Sequence, residues 1–335
     1  SDGNVLIVGA PEGGIVNDEG SFGGEVTIWR LNDTGWTNET SFYGNPDLFA
    51  SAGYSAAISN NGGTIVFGDS AGRTVGLNEG SVKVFRYINS SWTQIGETIY
   101  GDSENDFARI VDINSDGTRI AIGAHRYDDS RDNVGQIRIF QLNQTSTCLD
   151  GQASNGCWSE IGDIRGTADN DRCGTDISMD GNGNTIAILC EGYDNQRGQV
   201  KIFDYNDGTW AQHGNYINGE AEEDYAANGS VALGSNGDYI IVGSNFNDGT
   251  AQEAGHARIF KYNSECTTST CAEVDTWIQV GNDIDGESFK DFSGFSVAIN
   301  ALGTRVAIGA PQNDGDSGNG VDGRGHVRIY KWVEY

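Results

Sequence analysis

The chain has 335 residues, with 48 Asp and Glu against 20 Lys and Arg, for a formal net charge of −28. That charge excludes sequence-independent nucleic-acid binding and docking on an anionic membrane, and leaves cations, basic surfaces and protein partners. With 49 glycines and 3 prolines, and short alternating runs of Val, Ile and aromatics between Gly/Asn/Asp turns, the composition predicts an all-β fold.

In chain order, LIVGAP at 6–11 is followed by GEVTIW from Gly24 and by a strand opening at Trp36. The same order returns as IVFGD at 65–69, GSVKVF from Gly80 and Trp92, then as IAIGA at 120–124, GQIRIF from Gly135 and Trp158. It returns again as IAILC at 186–190, GQVKIF from Gly198 and Trp210, and as IIVGS at 240–244, GHARIF from Gly255 and Trp277. The last unit reads FSGFSVAINALGTRVAIGAPQND over 292–314, then GHVRIY from Gly325. Steps of about 54 to 66 residues, each holding four strands, are the period of a propeller or related array. One continuous domain over 1–335 is expected. No apolar run approaches a membrane span, so no membrane insertion is expected, and no secretory leader opens the chain. Because SDGN at the start matches the turn inside a repeat, the chain is expected to begin after processing or to be cut from something longer.

Six cysteines fall into close pairs: Cys148 with Cys157, Cys173 with Cys190, and Cys266 with Cys271. None has the double Cys-x-x-Cys spacing of a zinc site, so three disulfides and an oxidising, extracellular compartment are expected. Five sequons, at Asn32, Asn38, Asn89, Asn143 and Asn228, point the same way and make N-linked glycans expected partners. The first four lie in or beside the link between the third strand and the Trp strand, where two of the cysteine pairs also fall.

Phe-x-Gly-aromatic-Ser-Val-Ala-Ile followed by Val-Ala-Ile-Gly-Ala-Pro at 292–311, with Gly9-Ala10-Pro11, resembles the FG-GAP repeat that builds the β-propeller head of integrin α subunits. The resemblance implies four-stranded antiparallel blades, with the Phe-Gly-Ser-Val-Ala strand innermost and the Trp strand outermost. Six units are visible, in a six- or seven-bladed propeller whose first unit lacks its inner strand and last its outer strand. It also implies calcium loops between strands one and two. Only DINSDGTRI at 112–120 approaches that pattern, with Asp112, Asn114 and Asp116 as candidate calcium ligands. The corresponding turns elsewhere, NNGG, GNGN, SNGD and ALGT, read as tight hairpins.

Because strands alternate direction, loops between strands two and three share an end with the inter-blade links, and these segments hold most carboxylates. Glu220, Glu222, Glu223, Asp224, Asp314, Asp316 and Asp322 are the candidate binding face. The opposite end carries the short turns, the sequons and the loop cysteines. Clustered carboxylates suit a cation-assisted contact or a basic partner, and equally a merely solvated surface. The recurring tryptophans read as packing, and His256 and His326 as a polar slot filled elsewhere by Glu25, Ser81, Gln136 and Gln199. The Gly-x-Gly strings at 318–323 lack a phosphate loop's Lys-Ser/Thr ending, and no Ser-x-Asp-x-Gly-x-Thr-Trp box marks a sialidase. The expectation is a non-catalytic scaffold or structural glycoprotein of a cell-surface, matrix or filament assembly, partnered by other proteins or copies of itself. Adhesion through the acidic loops is the alternative, with secreted hydrolysis behind it; no cofactor is required beyond calcium as the candidate ion.

Overall fold

The computed structural model describes residues 3–14, 22–48, 50–71, 78–143, 156–222, 229–264, 274–315 and 323–331. They fall into two compact units divided after Asp169, each holding three antiparallel sheets. In the first unit, blade 1 comprises β1 (Val5–Ala10), β2 (Glu25–Asn32) and β3 (Gly35–Tyr43). Blade 2 comprises β4 (Ala56–Ile58), β5 (Thr64–Asp69), β6 (Ser81–Ile88), β7 (Ser91–Gln94) and the short β8 (Ile99–Tyr100), which pairs back onto the start of β6. Blade 3 comprises β9 (Ile110–Ile113), β10 (Arg119–Ala124), β11 (Gln136–Asn143) and β12 (Cys157–Arg165).

In the second unit, blade 4 comprises β13 (Cys173–Met179), β14 (Thr185–Cys190), β15 (Gln199–Asn206), β16 (Thr209–Gln212) and β17 (Ile217–Asn218). Blade 5 repeats this as β18 (Val231–Leu233), β19 (Tyr239–Ser244), β20 (His256–Asn263), β21 (Thr276–Gln279) and β22 (Ile284–Asp285). Blade 6 comprises β23 (Ser296–Ile299), β24 (Arg305–Ala310) and β25 (His326–Lys331). The fold is a six-bladed β-propeller. Among the described residues blade 1 starts at strand two and blade 6 stops at strand three, as the repeat predicts.

In blades 2, 3, 4 and 6 the first hairpin closes on a polar residue at one repeat position, where blade 5 has Gly234. Asn114 Oδ1 accepts from Thr118 N and Arg119 N, Asp180 Oδ1 from Asn184 N and Thr185 N, Asn300 Oδ1 from Arg305 N, and Ser59 Oγ from Thr64 N. Asp116 Oδ1 likewise takes Thr118 N, and Asp112 Oδ1 takes Ile113 N. The oxygens nominated for calcium therefore accept from the turn's own donors, and Asn114 fills a hairpin-cap position common to blades without that acidic pattern.

The core lies between blades. Val66, Val82 and Val84 of blade 2 pack with Val111, Ile120 and Ile122 of blade 3, and Leu189, Val200 and Ile202 of blade 4 with Val231, Ile240 and Val242 of blade 5. In blades 1, 2 and 5 a glycine near the end of strand two lets the next sheet's backbone approach closely, whereas blade 4 carries the buried Leu189 at that position. A Cβ on Gly68 would stand 1.8 Å from Arg109 O, and one on Gly243 2.0 Å from Gly294 O. Cys173 and Cys190 face each other across β13 and β14 and form a disulfide. Cys157 is also disulfide-bonded; Cys148, Cys266 and Cys271 lie outside the described residues. Asn32, Asn38 and Asn89 are exposed and Asn143 is half-buried at the outer hairpins, whereas Asn228 lies outside the described residues.

Two of the tryptophans clasp neighbouring blades. Trp158 of blade 3 donates its Nε1–H to Ile95 O of blade 2 at 3.0 Å, and Trp277 of blade 5 donates to His213 O of blade 4 at 3.0 Å. Beside each acceptor lies a glycine of positive φ, Gly96 (φ 70) and Gly214 (φ 73), whose missing Cβ would meet the indole at 2.5 and 2.9 Å. Both constraints act at Gly96, so Gly96→Ala is expected to cost about 1–3 kcal/mol. Trp158→Phe, which removes only the indole N–H, is expected to cost about 1 kcal/mol. Urea unfolding measures both, and a Gly96→Ala protein as stable as the parent would refute the clasp.

Candidate functional site

The acidic segments lie at the end of each blade where strand two passes to strand three and where the link from the preceding blade enters. Most of their carboxylates hold the loops together. Asp106 is 2% exposed and accepts from Ser103 N at 2.6 Å; Asp291 is 1% exposed and accepts from Glu287 N and Ser288 N. Asp171, equally buried, stands 3.7 Å from Lys201 Nζ. Asp314, expected on the binding face, is buried and accepts from Gly323 N at 3.1 Å. Glu220 and Glu222 are exposed, while Glu223, Asp224, Asp316 and Asp322 lie outside the described residues.

A polar frame recurs at this end in blades 3, 5 and 6: an acid from the incoming link, a Gln or His opening strand three, and an Arg two residues on. In blade 3 the frame is closed. Gln136 Nε2 donates to Asp102 Oδ2 at 3.2 Å, and Arg138 Nη1 meets Asp102 Oδ1 at 3.0 Å and donates to Tyr100 O at 3.0 Å. In blade 6 the set is Glu287, His326 and Arg328, with His326 Nε2 3.8 Å from Glu287 Oε2. In blade 5 it is Glu220, His256 and Arg258, joined by Asp283 from the strand beside His256.

Blade 5 departs most from the closed version. The start of β20 pairs with β22, His256 opposite Asp285, so Asp283 two residues earlier lies on the same side. His256 Nδ1 stands 3.7 Å from Asp283 Oδ2 and 3.9 Å from Glu220 Oε2, beyond hydrogen-bond range. Burial pushes the His256 imidazole down to about 4, helped by the Arg258 charge and opposed by Asp283. It is therefore neutral at physiological pH. Burial also raises the Asp285 carboxyl, with Asp283 adding repulsion and Arg328 opposing. The sequence placed His256 in a tolerated polar slot, and the slot is real. It could not show that a second carboxylate would reach it.

A second feature lies at the other end of the same blade. Val280 N donates to Ile259 O as Ile95 N does to Val84 O and His213 N to Ile202 O. Gly281 follows at φ 79, the conformation of Gly96 and Gly214. Where those seats hold Trp158 and Trp277, the seat beside Val280 and Gly281 is a cavity of about 170 Å³, also lined by Ile259, Val306 and Tyr330.

No protein-family model matches the sequence, and no curated protein does. Solved structures of similar fold include a 6-phosphogluconolactonase from Bacteroides fragilis, so named on a provisional basis, at 15% identity and TM-score 0.54 over 92% of this chain and 74% of that one. A periplasmic gluconolactonase from Pseudomonas aeruginosa aligns at 12% identity and TM-score 0.56 over 91% of this chain and 75% of that one. The hydrazine synthase of Kuenenia stuttgartiensis aligns at 13% identity and TM-score 0.52, covering 97% and 83%. At these identities the likeness is one of fold.

Burial raises the Asp106 carboxyl to about 6, with Asp102 and Asp128 adding repulsion against the Ser103 amide. Its folded value exceeds the ordinary value of 3.8, so ionising it costs nothing below pH 4, and the cost grows between pH 4 and 6 and is complete above. Asp106→Asn removes this titration and keeps an acceptor for Ser103. Relative to the parent, the variant should gain stability from pH 4 to pH 7.5 by at most roughly 3 kcal/mol. Denaturation at the two pH values measures the gain, and a pH-independent difference would contradict it.

Proposed function

We propose that this chain is a non-catalytic structural module of a secreted or envelope-located assembly, whose sixth blade is completed by a Trp-bearing β-strand. The supporting observation is the open seat at Val280 and Gly281, equivalent to the two seats that hold Trp158 and Trp277. Its occupant is a strand of the repeat's own outer type, pairing along β25, whose outer edge has no partner among the described residues. Strand addition supplies main-chain hydrogen bonds, and the seat supplies side-chain specificity.

The Cys173–Cys190 disulfide, the bonded Cys157 and the exposed sequons support that compartment, all being suited to oxidising surroundings. One neighbour in fold is named as periplasmic. The FG-GAP likeness of residues 292–311 suits the same reading, since integrin heads are binding propellers. A second reading, hydrolysis of a sugar lactone, draws on the names of two fold neighbours. Adhesion through the acidic loops rests on Glu220 and Glu222, the described members of that face that are exposed.

The test uses a synthetic peptide copying residues 275–285, DTWIQVGNDID. Saturable binding in the micromolar range is expected, at least about tenfold weaker when its Trp is Ala, and abolished by Thr304→Trp, which plugs the cavity mouth. No binding, or equal binding of both peptides, would overturn the docking reading. Release of acid from gluconolactone above the spontaneous rate would establish the enzymatic reading instead.

A further inference from the structure

We infer that Glu220, His256 and Asp283 form a site for one divalent transition ion, with zinc as the reference ion. His256 is 1% exposed, yet neither ring nitrogen has a hydrogen-bond partner. Enclosing an imidazole N–H without an acceptor is costly. Blade 3 avoids the problem with Gln136, whose amide reaches its carboxylate directly. In blade 5 the imidazole stops short of both carboxylates, its Nδ1 lying within 3.9 Å of one oxygen of each.

The spacing suits a shared ion. The donor atoms of Glu220, His256 and Asp283 all lie within 4.8 Å of one another, with 3.7 and 3.9 Å from Nδ1 to the two oxygens. Zinc bonds of about 2.0–2.2 Å at tetrahedral to trigonal angles hold two donors about 3.3–3.8 Å apart. The two Nδ1 distances are within a few tenths of an ångström of that range, and the two carboxylate oxygens reach it with a closing movement of at most about 1 Å.

The donor set selects the class of ion. One neutral imidazole with two carboxylates suits zinc and its first-row neighbours, whereas calcium asks for six or more oxygens. Each carboxylate is already oriented by its second oxygen or a neighbour. Gln279 Nε2 donates to Asp283 Oδ1 at 2.6 Å, Asn247 Nδ2 to Glu220 Oε2 at 3.4 Å, and Arg258 Nη1 faces Glu220 Oε1 at 3.6 Å. Such outer contacts fix ligand direction and are the usual companions of a metal centre. The Arg258 charge opposes the ion, so affinity is set nearer micromolar than nanomolar. Glu220 and Asp283 are 44% and 29% exposed, which leaves a way in and room for water as a fourth ligand. Blade 6 provides the internal control. His326 meets Glu287 there, and no third His, Cys, Asp or Glu joins them among the described residues.

The site requires no strand docking, and its test is separate. The full chain, stripped with chelator and dialysed, is titrated with zinc chloride and with calcium chloride by calorimetry, with thermal unfolding alongside. One zinc per chain is expected, with a rise in Tm that calcium does not reproduce. His256→Gln, which installs the blade 3 residue, and Asp283→Asn should each weaken zinc at least about tenfold, while Glu287→Gln should not change it. If His256→Gln fails to fold, the half-buried Asp283→Asn carries the test. Absence of saturable zinc binding, equal binding of calcium, or full affinity in the Asp283→Asn protein would overturn the site.

Discussion

In blades 1, 2 and 5 the fold depends on one contact: the backbone of one blade pressed against the backbone of the next near the end of strand two. A methyl group at Gly68 or Gly243 would occupy space held by Arg109 O or Gly294 O. Once the sheets stand that close, the valines and isoleucines between them interdigitate, and the core becomes a series of sheet-to-sheet interfaces. Burial on both faces then explains why strands such as Thr64–Asp69 and Thr185–Cys190 are apolar almost throughout, without the alternation of a half-exposed sheet. The outer edge needs its own fastening. It is supplied by the Trp158 and Trp277 indoles seated against Gly96 and Gly214.

This division decides where chemistry can reside. Residues that recur are consumed by the frame: the hairpin caps, the strand-ending glycines, the tryptophans and the buried Asp106, Asp171 and Asp291 of the links. Function is left to places where one blade breaks the pattern. Blade 5 does so at an imidazole that its carboxylates do not reach. The acidic character of the loops, prominent in the composition, is less informative than its details. Asp314 and Asp106 are enclosed structural acceptors, while Glu220 is exposed to solvent and reachable by a ligand.

Strand order, hairpin turns and the Cys173–Cys190 pairing were legible because each depends on local spacing: period-two alternation, Asn/Asp/Gly at tight turns, and two cysteines equidistant from a turn. The tryptophan position was legible as packing, but not its partner, since Gly96 and Trp158 meet only through blade-to-blade contact. Glu220, His256 and Asp283 belong to a link, strand three and the return strand of one blade, and only the pairing of His256 with Asp285 brings them together. The signal available was a His where blades 3 and 4 carry Gln136 and Gln199, in a unit whose outer strand ends Asp-Ile-Asp. Asp112, Asn114 and Asp116 illustrate the reverse case, in which a calcium-like spacing also suits a hairpin that bonds to itself.

The most direct test asks whether the glycine near the end of strand two is architecture or part of a site. Gly68 is suited to it, because its backbone φ is not in the left-handed region and Ala would introduce steric conflict alone. Urea unfolding of Gly68→Ala should show a loss of at least about 1–3 kcal/mol, with cooperative unfolding retained. Unchanged stability would contradict the claim that backbone contact at these glycines sets the spacing of the blades, and would return the repeat to consideration as a binding sequence.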